Sequence, residues 1–321
     1  MTRTQAVTAV AHPIQGLIKY HGLKDPSLRI PYHDSISVCA EAMFTRTTVE
    51  FSDDLKEHLV TINGRVARGE DLNRASAVLQ ALIRLHGGLE PAHARVTSEN
   101  SVTSGKGLGF SASGFAALGL AACKALGIAL DNVSLSEAVR LGAGSATRSL
   151  AGGFAVWYAD KGGRSYAERL PAPGDLDLGM VVVPIGSSAR TDEAHRDVVT
   201  SPLFESRLRY VGGMLEEMKK AIANGDVEAI GRLAEEDTLN LHATTMTCRS
   251  HMILWEPDTL RIIRQIEALR RGGLPCWYSL DTGPSVFINS HKRHVDAIVR
   301  EVERLGLQAV ASGVGPPAHL V

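Results

Sequence analysis

The amino-acid sequence predicts an α+β protein of two domains. Strand-like and helical runs alternate irregularly, without the repeated βαβ units of a parallel sheet and without any internal repeat. A continuous apolar run, LGMVVVPIGSS, follows a polar stretch that contains Gly and Pro, and it is typical of a buried strand. We therefore place a domain boundary just before this run. The N-terminal domain would span residues 1–177 and the C-terminal domain residues 178–321.

The composition is that of an ordinary globular protein and excludes several classes of function. Of 321 residues, 44% are hydrophobic and 21% charged, which is enough for a large core. A formal charge of −1 and 5% aromatic residues provide little attraction for nucleic acid. The sequence shows no signal-peptide pattern and no membrane-spanning apolar window. The cysteines are far apart and form no CxxC pair. We expect a cytoplasmic protein with reduced thiols and no nucleic-acid or membrane partner.

The N-terminal part consists mainly of short strands. The runs QAVTAV, SISVCAEA and TTVEF predict strands separated by prolines, and LVTINGRV predicts a hairpin around Asn63-Gly64. Apolar residues at helical spacing predict a helix over residues 71–88 that ends at a glycine pair. Ser134 and Glu137 form a capping-box pattern, which predicts a helix over residues 134–149. The run GGFAVWYAD predicts the next strand.

The C-terminal part is richer in helices. The sequence predicts helices over residues 202–224, 227–242, 257–271 and 291–305. The run PCWYSLDTGPSVFIN predicts two strands broken at residues 282–284, and a last strand closes the chain.

A Gly- and Ser-rich stretch at residues 100–114, NSVTSGKGLGFSASG, lies between a predicted strand and an Ala/Leu-rich helix. This order presents backbone N–H groups and the positive end of a helix, which suits a polyphosphate. Lys106 would add a positive charge. The pattern differs from the P-loop and from the dinucleotide fingerprint, so a flexible Gly/Ser loop is an equally good interpretation of this stretch alone.

Three segments contain polar residues that are candidates for catalysis or ligand binding. Lys19 follows Leu17-Ile18, either at the mouth of a buried strand or as a snorkelling surface lysine. Ser145 and Arg148 share a helical face, where the arginine either holds a carboxylate or phosphate or is exposed at a helix end. Asp281 ends a strand before a Gly-Pro turn, a position that often reflects turn chemistry alone.

Other polar segments give weaker indications of a functional site. Ser188 and Arg190 suit an oxyanion, but they are also normal loop composition. Asp237 and Asn240 in EEDTLNLH either face a site or lie on a solvated helix face, and we adopt the second interpretation. The histidines lack a spacing such as HExxH and there is no GxSxG elbow, so we expect neither a zinc site nor a serine hydrolase.

Together and in this order, these segments resemble the mevalonate diphosphate decarboxylase group of the GHMP kinase superfamily. The resemblance runs from LIKYHGLKD through the Gly-rich loop, GAGSATRSLAGGFAVW, EEDTLNLHATTM and SLDTGPSVFIN to GVGPP. It covers nearly the whole chain. It implies the two-domain α+β GHMP kinase fold, with the active site in the cleft between the domains.

The reaction of that group implies a role for each polar position. ATP phosphorylates a tertiary 3-hydroxyl, and this phosphate leaves while the C1 carboxylate departs as CO2. By resemblance, Asp281 orients or deprotonates the hydroxyl, and Lys19 keeps Asp281 ionised and steadies negative charge. Arg148 would fix the C1 carboxylate, with a hydrogen bond from Ser145.

The resemblance also implies a nucleotide site that takes ATP with Mg²⁺, the metal being bound at Ser111. Thr103 and Phe110 replace the usual Pro and first Ser of the loop, so a bisphosphate decarboxylase that needs no ATP stays an alternative. The residues expected to bind the nucleotide are Asn100, Ser104, Gly105, Lys106, Gly107, Gly109, Ser111, Ala112 and Ser113.

The departures from the group bear on the substrate. The diphosphate enzymes usually read KYWGKR where this chain reads KYHGLK, with His21 and Leu23 in the changed places. One cationic contact for a terminal phosphate is therefore missing, and we expect mevalonate 5-phosphate as substrate and isopentenyl phosphate as product. The candidates for binding this substrate are Tyr20, Lys24, Arg74, Ser188, Arg190, His195 and Arg196.

Three other functions stay open at this point. Within the fold they are a diphosphomevalonate decarboxylase and a small-molecule kinase, such as a mevalonate 3-kinase, that stops at the phosphoester. Outside catalysis, the alternative is a nucleotide-binding regulatory protein. The joint presence of Lys19, Arg148 and Asp281 argues against the last two. Homologues of this type are commonly dimers, so we expect a homodimer.

Overall fold

The computed structural model describes residues 4–87, 93–102, 108–186 and 191–321. Its strands are β1 (Val7–Ala11), β2 (Ile14–Ile18), β3 (Leu23–Asp25), β4 (Ile30–Pro31), β5 (Ser35–Cys39), β6 (Thr45–Phe51), β7 (Leu59–Ile62), β8 (Arg65–Val66), β9 (Ala94–Asn100), β10 (Phe154–Trp157), β11 (Ala167–Arg169), β12 (Leu178–Val183), β13 (Cys276–Ser279), β14 (Val286–His291), β15 (Val310–Ser312) and β16 (His319–Leu320). Its helices are α1 (Glu70–Leu85), α2 (Phe110–Ala125), α3 (Asn132–Arg140), α4 (Ala146–Ala151), α5 (Thr191–Asp197), α6 (Phe204–Asn224), α7 (Val227–Met246), α8 (Pro257–Arg271) and α9 (Val295–Arg304).

A six-stranded sheet in the order β16-β1-β6-β9-β7-β8 forms one layer. Its neighbours are antiparallel except for β7 and β9, which run parallel. Buried residues alternate along β6, as expected of a sheet with one covered face. Helices α1 and α2 cover that face, and Phe51 of β6, Leu79 of α1 and Ala117 of α2 share one core.

Two four-stranded antiparallel sheets form the remainder, in the orders β11-β10-β5-β2 and β13-β14-β12-β15. Helix α7 packs against β2 of one sheet and against β13 and β14 of the other. The ends of β2 and β13 therefore meet beside the same helix. The common core draws apolar side chains from both sheets, α6 and α7, among them Ile18, Val38, Phe154, Met180, Met214, Ile230 and Phe287.

Several predicted elements are confirmed. Asn63 and Gly64 take φ values of 49° and 76°, the conformation that a two-residue hairpin turn requires, between β7 and β8. Helix α8 has the predicted bounds and starts with a proline in its first turn. Strands β13 and β14 are separated by a connecting segment that contains Thr282, Gly283 and Pro284, as predicted.

The prediction of one helix over residues 134–149 is wrong, because the structure has two helices there, α3 and α4. Asp131 is the N-cap of α3 and accepts the Ser134 N–H at 2.7 Å, so the helix starts earlier than the capping-box pattern indicates. Between α3 and α4, a Cβ on Gly142 would lie 2.3 Å from the Phe115 ring, and one on Gly144 would lie 2.4 Å from the Trp157 ring. Aromatic packing directly on the backbone accompanies the break between the two helices.

The C-terminal residues return to the first sheet. The sequence predicts a closing strand, but it does not show that β16 pairs with β1. Strand β12 begins at Leu178, while the boundary between residues 177 and 178 stays a prediction. Within the described residues, no helix combines the length and apolar character needed to cross a membrane.

Gly152 tests how tightly the C-terminal segment is held. Its φ of 69° and ψ of 173° are almost exclusive to glycine. A Cβ there would lie 2.2 Å from the Pro317 backbone. We expect Gly152→Ala to lower the free energy of unfolding by about 2–5 kcal/mol, through backbone strain and overpacking, as measured by urea denaturation.

Gly212→Ala is the matched control. Gly212 lies within α6, and a Cβ there would have no neighbouring atom within 4 Å, so alanine should raise stability by up to ~1 kcal/mol. Equal stability of Gly152→Ala and the wild type would contradict the tight packing at Pro317.

Candidate active site

A cavity of about 770 Å³ lies between the N-terminal and C-terminal halves of the chain. Its wall is formed by the end of β2, the starts of α1 and α2, the start and middle of α4, the end of α5 and the turn after β13. The predicted site residues that line it are Lys19, Tyr20, Arg74, Gly109, Ser111, Ser145, Arg148, His195, Arg196 and Asp281.

Four predicted residues do not line this cavity as the described residues form it, and their binding roles stay predictions. Lys24 is exposed on β3. Asn100 accepts a hydrogen bond from the Thr45 hydroxyl at 2.8 Å, and the Ser113 hydroxyl lies 2.6 Å from that same hydroxyl. Ala112 is fully buried in a small apolar cluster. The predicted residues that lie outside the described part of the chain are Ser104, Gly105, Lys106, Gly107, Ser188 and Arg190.

Lys19 is buried at the end of β2, with 4% of its surface exposed. Its Nζ lies 3.7 Å from Asp237 Oδ2 and donates to the Ala234 carbonyl at 3.2 Å, while its backbone N–H donates to Asp237 Oδ2 at 2.8 Å. Burial lowers the pKa of Lys19, and the carboxylates of Asp237 and Asp281 oppose this shift. The buried-strand prediction is confirmed, and the snorkelling alternative is wrong.

Asp237 also pairs with a second buried cation. Arg207 Nη2 lies 3.1 Å from Asp237 Oδ1 and donates to the Lys19 carbonyl at 2.7 Å, and Nη1 donates to Asn240 at 2.6 Å. Asp237 has no exposed surface, so the interpretation of a solvated helix face is wrong for this residue. Asp237 therefore fixes both the backbone and the side chain at the end of β2.

Asp281 lies beside Lys19 at the end of β13. Its Oδ1 accepts the Gly16 N–H at 3.0 Å. Burial raises the pKa of Asp281, while the nearby Lys19 and Arg148 lower it. A Cβ on Gly16 would lie 2.6 Å from Asp281 Oδ1 and 2.7 Å from Lys19 Cγ, so glycine here leaves room for the acid and the lysine together.

Arg148 presents a buried guanidinium from α4. Its Cζ lies 5.5 Å from the centroid of the Tyr20 ring and 5.8 Å from that of Trp157, and Nη1 donates to the Ser35 hydroxyl at 2.9 Å. Among the described residues its buried Nε has no hydrogen-bond partner. Ser145, the residue before α4, lines the cavity beside it. A buried arginine with unused donor capacity suits a carboxylate or phosphate ligand.

The start of α2 provides an anion site in the same cavity. Gly109 is left-handed with φ 74°, and a Cβ there would lie 2.8 Å from the Ile14 carbonyl oxygen. The first turn of α2 contains no acidic residue, and its Ser111 is exposed to the cavity. Free N–H groups at a helix start suit a polyphosphate, and a hydroxyl suits a phosphate-bound Mg²⁺.

Sequence reasoning missed Gly16 and Arg207, and it considered Asp237 but assigned it to a solvated helix face. The sequence does contain a signal that Asp237 is buried. This residue falls at helical spacing with Leu233, Ala234 and Leu241, the buried stripe of α7, so a carboxylate on that stripe had to be buried with a partner. Further unpredicted residues lining the cavity are Arg29, Arg68, Glu70, Asp71 and Glu193.

A lysine, an aspartate and an arginine line one cavity together with a helix start, which is an arrangement suited to an enzyme that acts on an acidic, phosphorylated small molecule. Comparison with known proteins agrees. The chain matches the diphosphomevalonate decarboxylase-like N-terminal domain over residues 11–167 and the mevalonate 5-diphosphate decarboxylase C-terminal domain over residues 186–311. The chain belongs to the diphosphomevalonate decarboxylase family, as its resemblance predicts, and it is a decarboxylase by class.

Individual relatives cover nearly the whole chain. Phosphomevalonate decarboxylase of Haloferax volcanii is 38% identical over 98% of this chain and 97% of its own length. Diphosphomevalonate decarboxylase of Candida albicans is 28% identical over 88% of this chain and 83% of its own length.

Solved structures confirm the two-domain α+β fold. Mevalonate diphosphate decarboxylase from Staphylococcus aureus has a TM-score of 0.92 at 30% identity, covering 100% of this chain and 98% of that chain. A structure of "MDDEF in complex with MVAPP, AMPPCP and Magnesium" has a TM-score of 0.92 at 29% identity, covering 100% and 99%. Mevalonate-3-kinase from Thermoplasma acidophilum, at 19% identity and TM-score 0.84, shares the fold.

The Asp237 pairings can be tested by stability. Asp237→Asn keeps the side-chain shape but leaves the buried Arg207 without its carboxylate and Lys19 with Asp281 alone. We expect the free energy of unfolding to fall by about 3–5 kcal/mol, measured by chemical denaturation, because uncompensated buried charge is costly.

The control is the neighbouring Glu236→Gln. Glu236 pairs with Arg232 at 2.9 Å on the exposed side of α7, and such a pair contributes about 0–1 kcal/mol. Equal losses of unfolding free energy in the two variants would show that the buried ion pairs of Asp237 contribute no more to stability than an exposed pair.

Proposed function

We propose that this enzyme converts mevalonate 5-phosphate and ATP to isopentenyl phosphate, ADP, phosphate and CO2. The observation that carries the proposal is the presence of Lys19, Arg148 and Asp281 in one cavity with the start of α2. The similarity to the phosphomevalonate decarboxylase of Haloferax volcanii supports the choice of substrate.

The first step needs a carboxylate at the substrate's 3-hydroxyl. Asp281, fixed by the Gly16 N–H, would orient this hydroxyl and accept its proton as the oxygen attacks the γ-phosphoryl group of ATP. Lys19 would keep Asp281 ionised and stabilise the negative charge that develops on the phosphoryl group.

The second step breaks two bonds. The C3–O bond cleaves with release of phosphate, and the C1–C2 bond cleaves with release of CO2, its electron pair forming the C2=C3 double bond. Arg148 would hold the C1 carboxylate, with Ser145 as a further hydrogen-bond donor. The guanidinium is buried, so the carboxylate would be drawn out of water before it leaves.

The nucleotide would lie with its phosphates at the start of α2. Gly109 allows the close approach of the backbone, and the exposed Ser111 would bind Mg²⁺. When bound, Mg²⁺ neutralises charge on the phosphate oxygens. The complex with AMPPCP and magnesium among the structural neighbours supports the use of a nucleotide and Mg²⁺.

The substrate's 5-phosphate would lie among Arg74, His195 and Arg196. Leu23 stands where the diphosphate enzymes usually have a lysine, and the neighbouring Lys24 is exposed away from the cavity. Fewer cationic contacts favour a monophosphate. A diphosphomevalonate decarboxylase is the second candidate, because the unpredicted Arg68 also lines the cavity and would compensate for Leu23.

Three further expectations belong to this proposal. The enzyme would be a homodimer in the cytoplasm, with its domains meeting between residues 177 and 178. Sedimentation velocity tests the dimer directly.

One assay separates the candidate functions. ADP formation and CO2 release are measured together on mevalonate, its 5-phosphate and its 5-diphosphate. We expect both products, in equal amounts, mainly with the 5-phosphate. Asp281→Asn should lower the rate by roughly 10²–10⁴-fold, because it removes the acid–base group.

The control is Asp177→Asn, which alters an exposed carboxylate that pairs with His291, and neither residue lines the cavity. Its rate should equal that of the wild type. CO2 mainly from the 5-diphosphate would favour the second candidate. ADP without CO2 would make the enzyme a kinase, and CO2 from mevalonate 3,5-bisphosphate in the absence of ATP would make it a bisphosphate decarboxylase.

The decline of kcat/KM at alkaline pH should report the deprotonation of Lys19. Burial lowers its pKa, and its protonated form is the active one, so activity is present below that pKa and lost above it. We expect kcat/KM to fall with rising pH at a value below the ordinary lysine pKa of about 10.4.

Lys19→Arg provides the comparison, because a guanidinium stays protonated over this range. This variant should be slower, and its rate should show no alkaline decline below the ordinary lysine pKa. The same alkaline decline in both enzymes would assign it to another group.

A further inference from the structure

Two buried histidines, His21 and His195, meet edge to face behind the cavity wall. Their Nδ1 atoms lie 3.3 Å apart, and the ring centroids are 5.2 Å apart. His21 has no exposed surface and His195 has 5%. Neither contact belongs to the reaction steps described above.

The backbone decides which nitrogen of His195 carries the proton. The Gly22 N–H lies 3.2 Å from His195 Nδ1, and a backbone N–H can only donate. His195 Nδ1 is therefore an acceptor, and the ring proton is on Nε2. With its proton on Nδ1, His21 shares the one lone pair of His195 Nδ1 with the Gly22 N–H, whereas an unprotonated His21 Nδ1 would face it with a second, repelling lone pair.

The far side of His21 is compatible with this arrangement. His21 Nε2 lies 2.8 Å from the Thr245 hydroxyl on α7. Burial lowers the pKa of His21 well below 6.5, and the neighbouring His195 and Arg207 lower it further. The Thr245 hydroxyl has one proton and two acceptors within reach, His21 Nε2 at 2.8 Å and the Leu241 carbonyl at 3.0 Å. When the hydroxyl donates to a neutral His21 with its proton on Nδ1, the hydrogen bonds run in one direction from Thr245 to His195.

His195 lies on the cavity wall. It comes from α5 and stacks on Tyr20, with centroids 4.6 Å apart and planes 11° apart. The same Tyr20 ring also contacts Arg148, so His195 lies one ring away from the group that would hold the substrate carboxylate. Arg196 and Arg74 line the same cavity, which makes this part of the wall suited to an anion.

We propose that His21 is a positioning residue that holds His195 in the Nε2–H tautomer, so that His195 donates a hydrogen bond to the 5-phosphate of the substrate. This inference rests on the proposed function. Because Arg148 would take the carboxylate, the other acidic end of the molecule is the phosphate. A fixed neutral donor orients that phosphate, while Arg74 and Arg196 supply the charge.

The kinetic test uses three substitutions of His21. His21→Phe keeps a ring and removes both nitrogens, His21→Asn keeps an amide near the Nδ1 position, and His21→Gln keeps one near the Nε2 position. We expect His21→Phe and His21→Gln to raise KM for mevalonate 5-phosphate roughly 3–20-fold, with kcat within about twofold. His21→Asn should stay within about twofold of the wild type in KM.

Two comparisons separate positioning from general damage. With unphosphorylated mevalonate, His21→Phe and the wild type should have equal kcat/KM. His195→Ala should raise KM for the 5-phosphate by roughly 10–100-fold, and adding His21→Phe to it should change KM no further. A fall in kcat on both substrates would mean that His21 only supports the fold, and would overturn the inference.

A second readout does not depend on activity. In protein labelled with ¹⁵N-histidine, NMR distinguishes a protonated ring nitrogen from an unprotonated one, and His195→Ala identifies the His195 signals. We expect an unprotonated Nδ1 and a protonated Nε2 in the wild type, and loss of this single tautomer in His21→Phe. A wild-type His195 protonated on Nδ1 would overturn the inference.

The kinetic and NMR readouts distinguish a failure of this inference from a failure of the proposed function. If mevalonate 5-phosphate gave no CO2, the proposed function would fail, whereas the tautomer would still be measured. If CO2 were released but His21→Phe changed neither KM nor the His195 tautomer, the inference would fail and the proposed function would stand.

Discussion

The site depends on one buried carboxylate, that of Asp237. An ion removed from water costs several kcal/mol unless it is paired, and Asp237 meets this condition twice, with Lys19 and with Arg207. The same carboxylate accepts the Lys19 backbone N–H, so the pairing also sets where the chain leaves β2. Lys19 can therefore stay buried beside Asp281 instead of extending into solvent.

Helix α7 brings the separate parts of the chain together. It packs against β2 and β13, whose ends carry Lys19 and Asp281, and it supplies Asp237 from its buried stripe. After β2 the chain places consecutive residues in different surroundings. The side chain of Lys19 pairs with Asp237 of α7, and that of Tyr20 lines the cavity. The His21 ring lies within hydrogen-bond distance of Thr245 on the same helix. The residues proposed for reaction and for substrate binding are thus held by one strand end and one helix.

The sequence predicts what depends on local pattern and misses what depends on partners. The hairpin at Asn63-Gly64 and helix α8 follow from turn chemistry and periodicity, and the structure has both. The predicted helix over residues 134–149 is interrupted where Phe115 and Trp157, which lie outside that segment, pack on Gly142 and Gly144. Gly16 shows the same limit for the site. Its need for glycine arises from the carboxylate of Asp281, which lies far along the chain, and no local pattern records that contact.

The charges of the site also suggest why the reaction would proceed to product release. Lys19, Arg148 and Arg207 are buried cations, and Asp237 and Asp281 are the carboxylates among them. With both acids ionised, this cluster has one uncompensated positive charge, and Arg148 is the cation without a carboxylate ion pair of its own among the described residues. A substrate carboxylate would neutralise it. When that carboxylate leaves as neutral CO2, the positive charge is again uncompensated, so the alkene product loses the interaction that held the substrate.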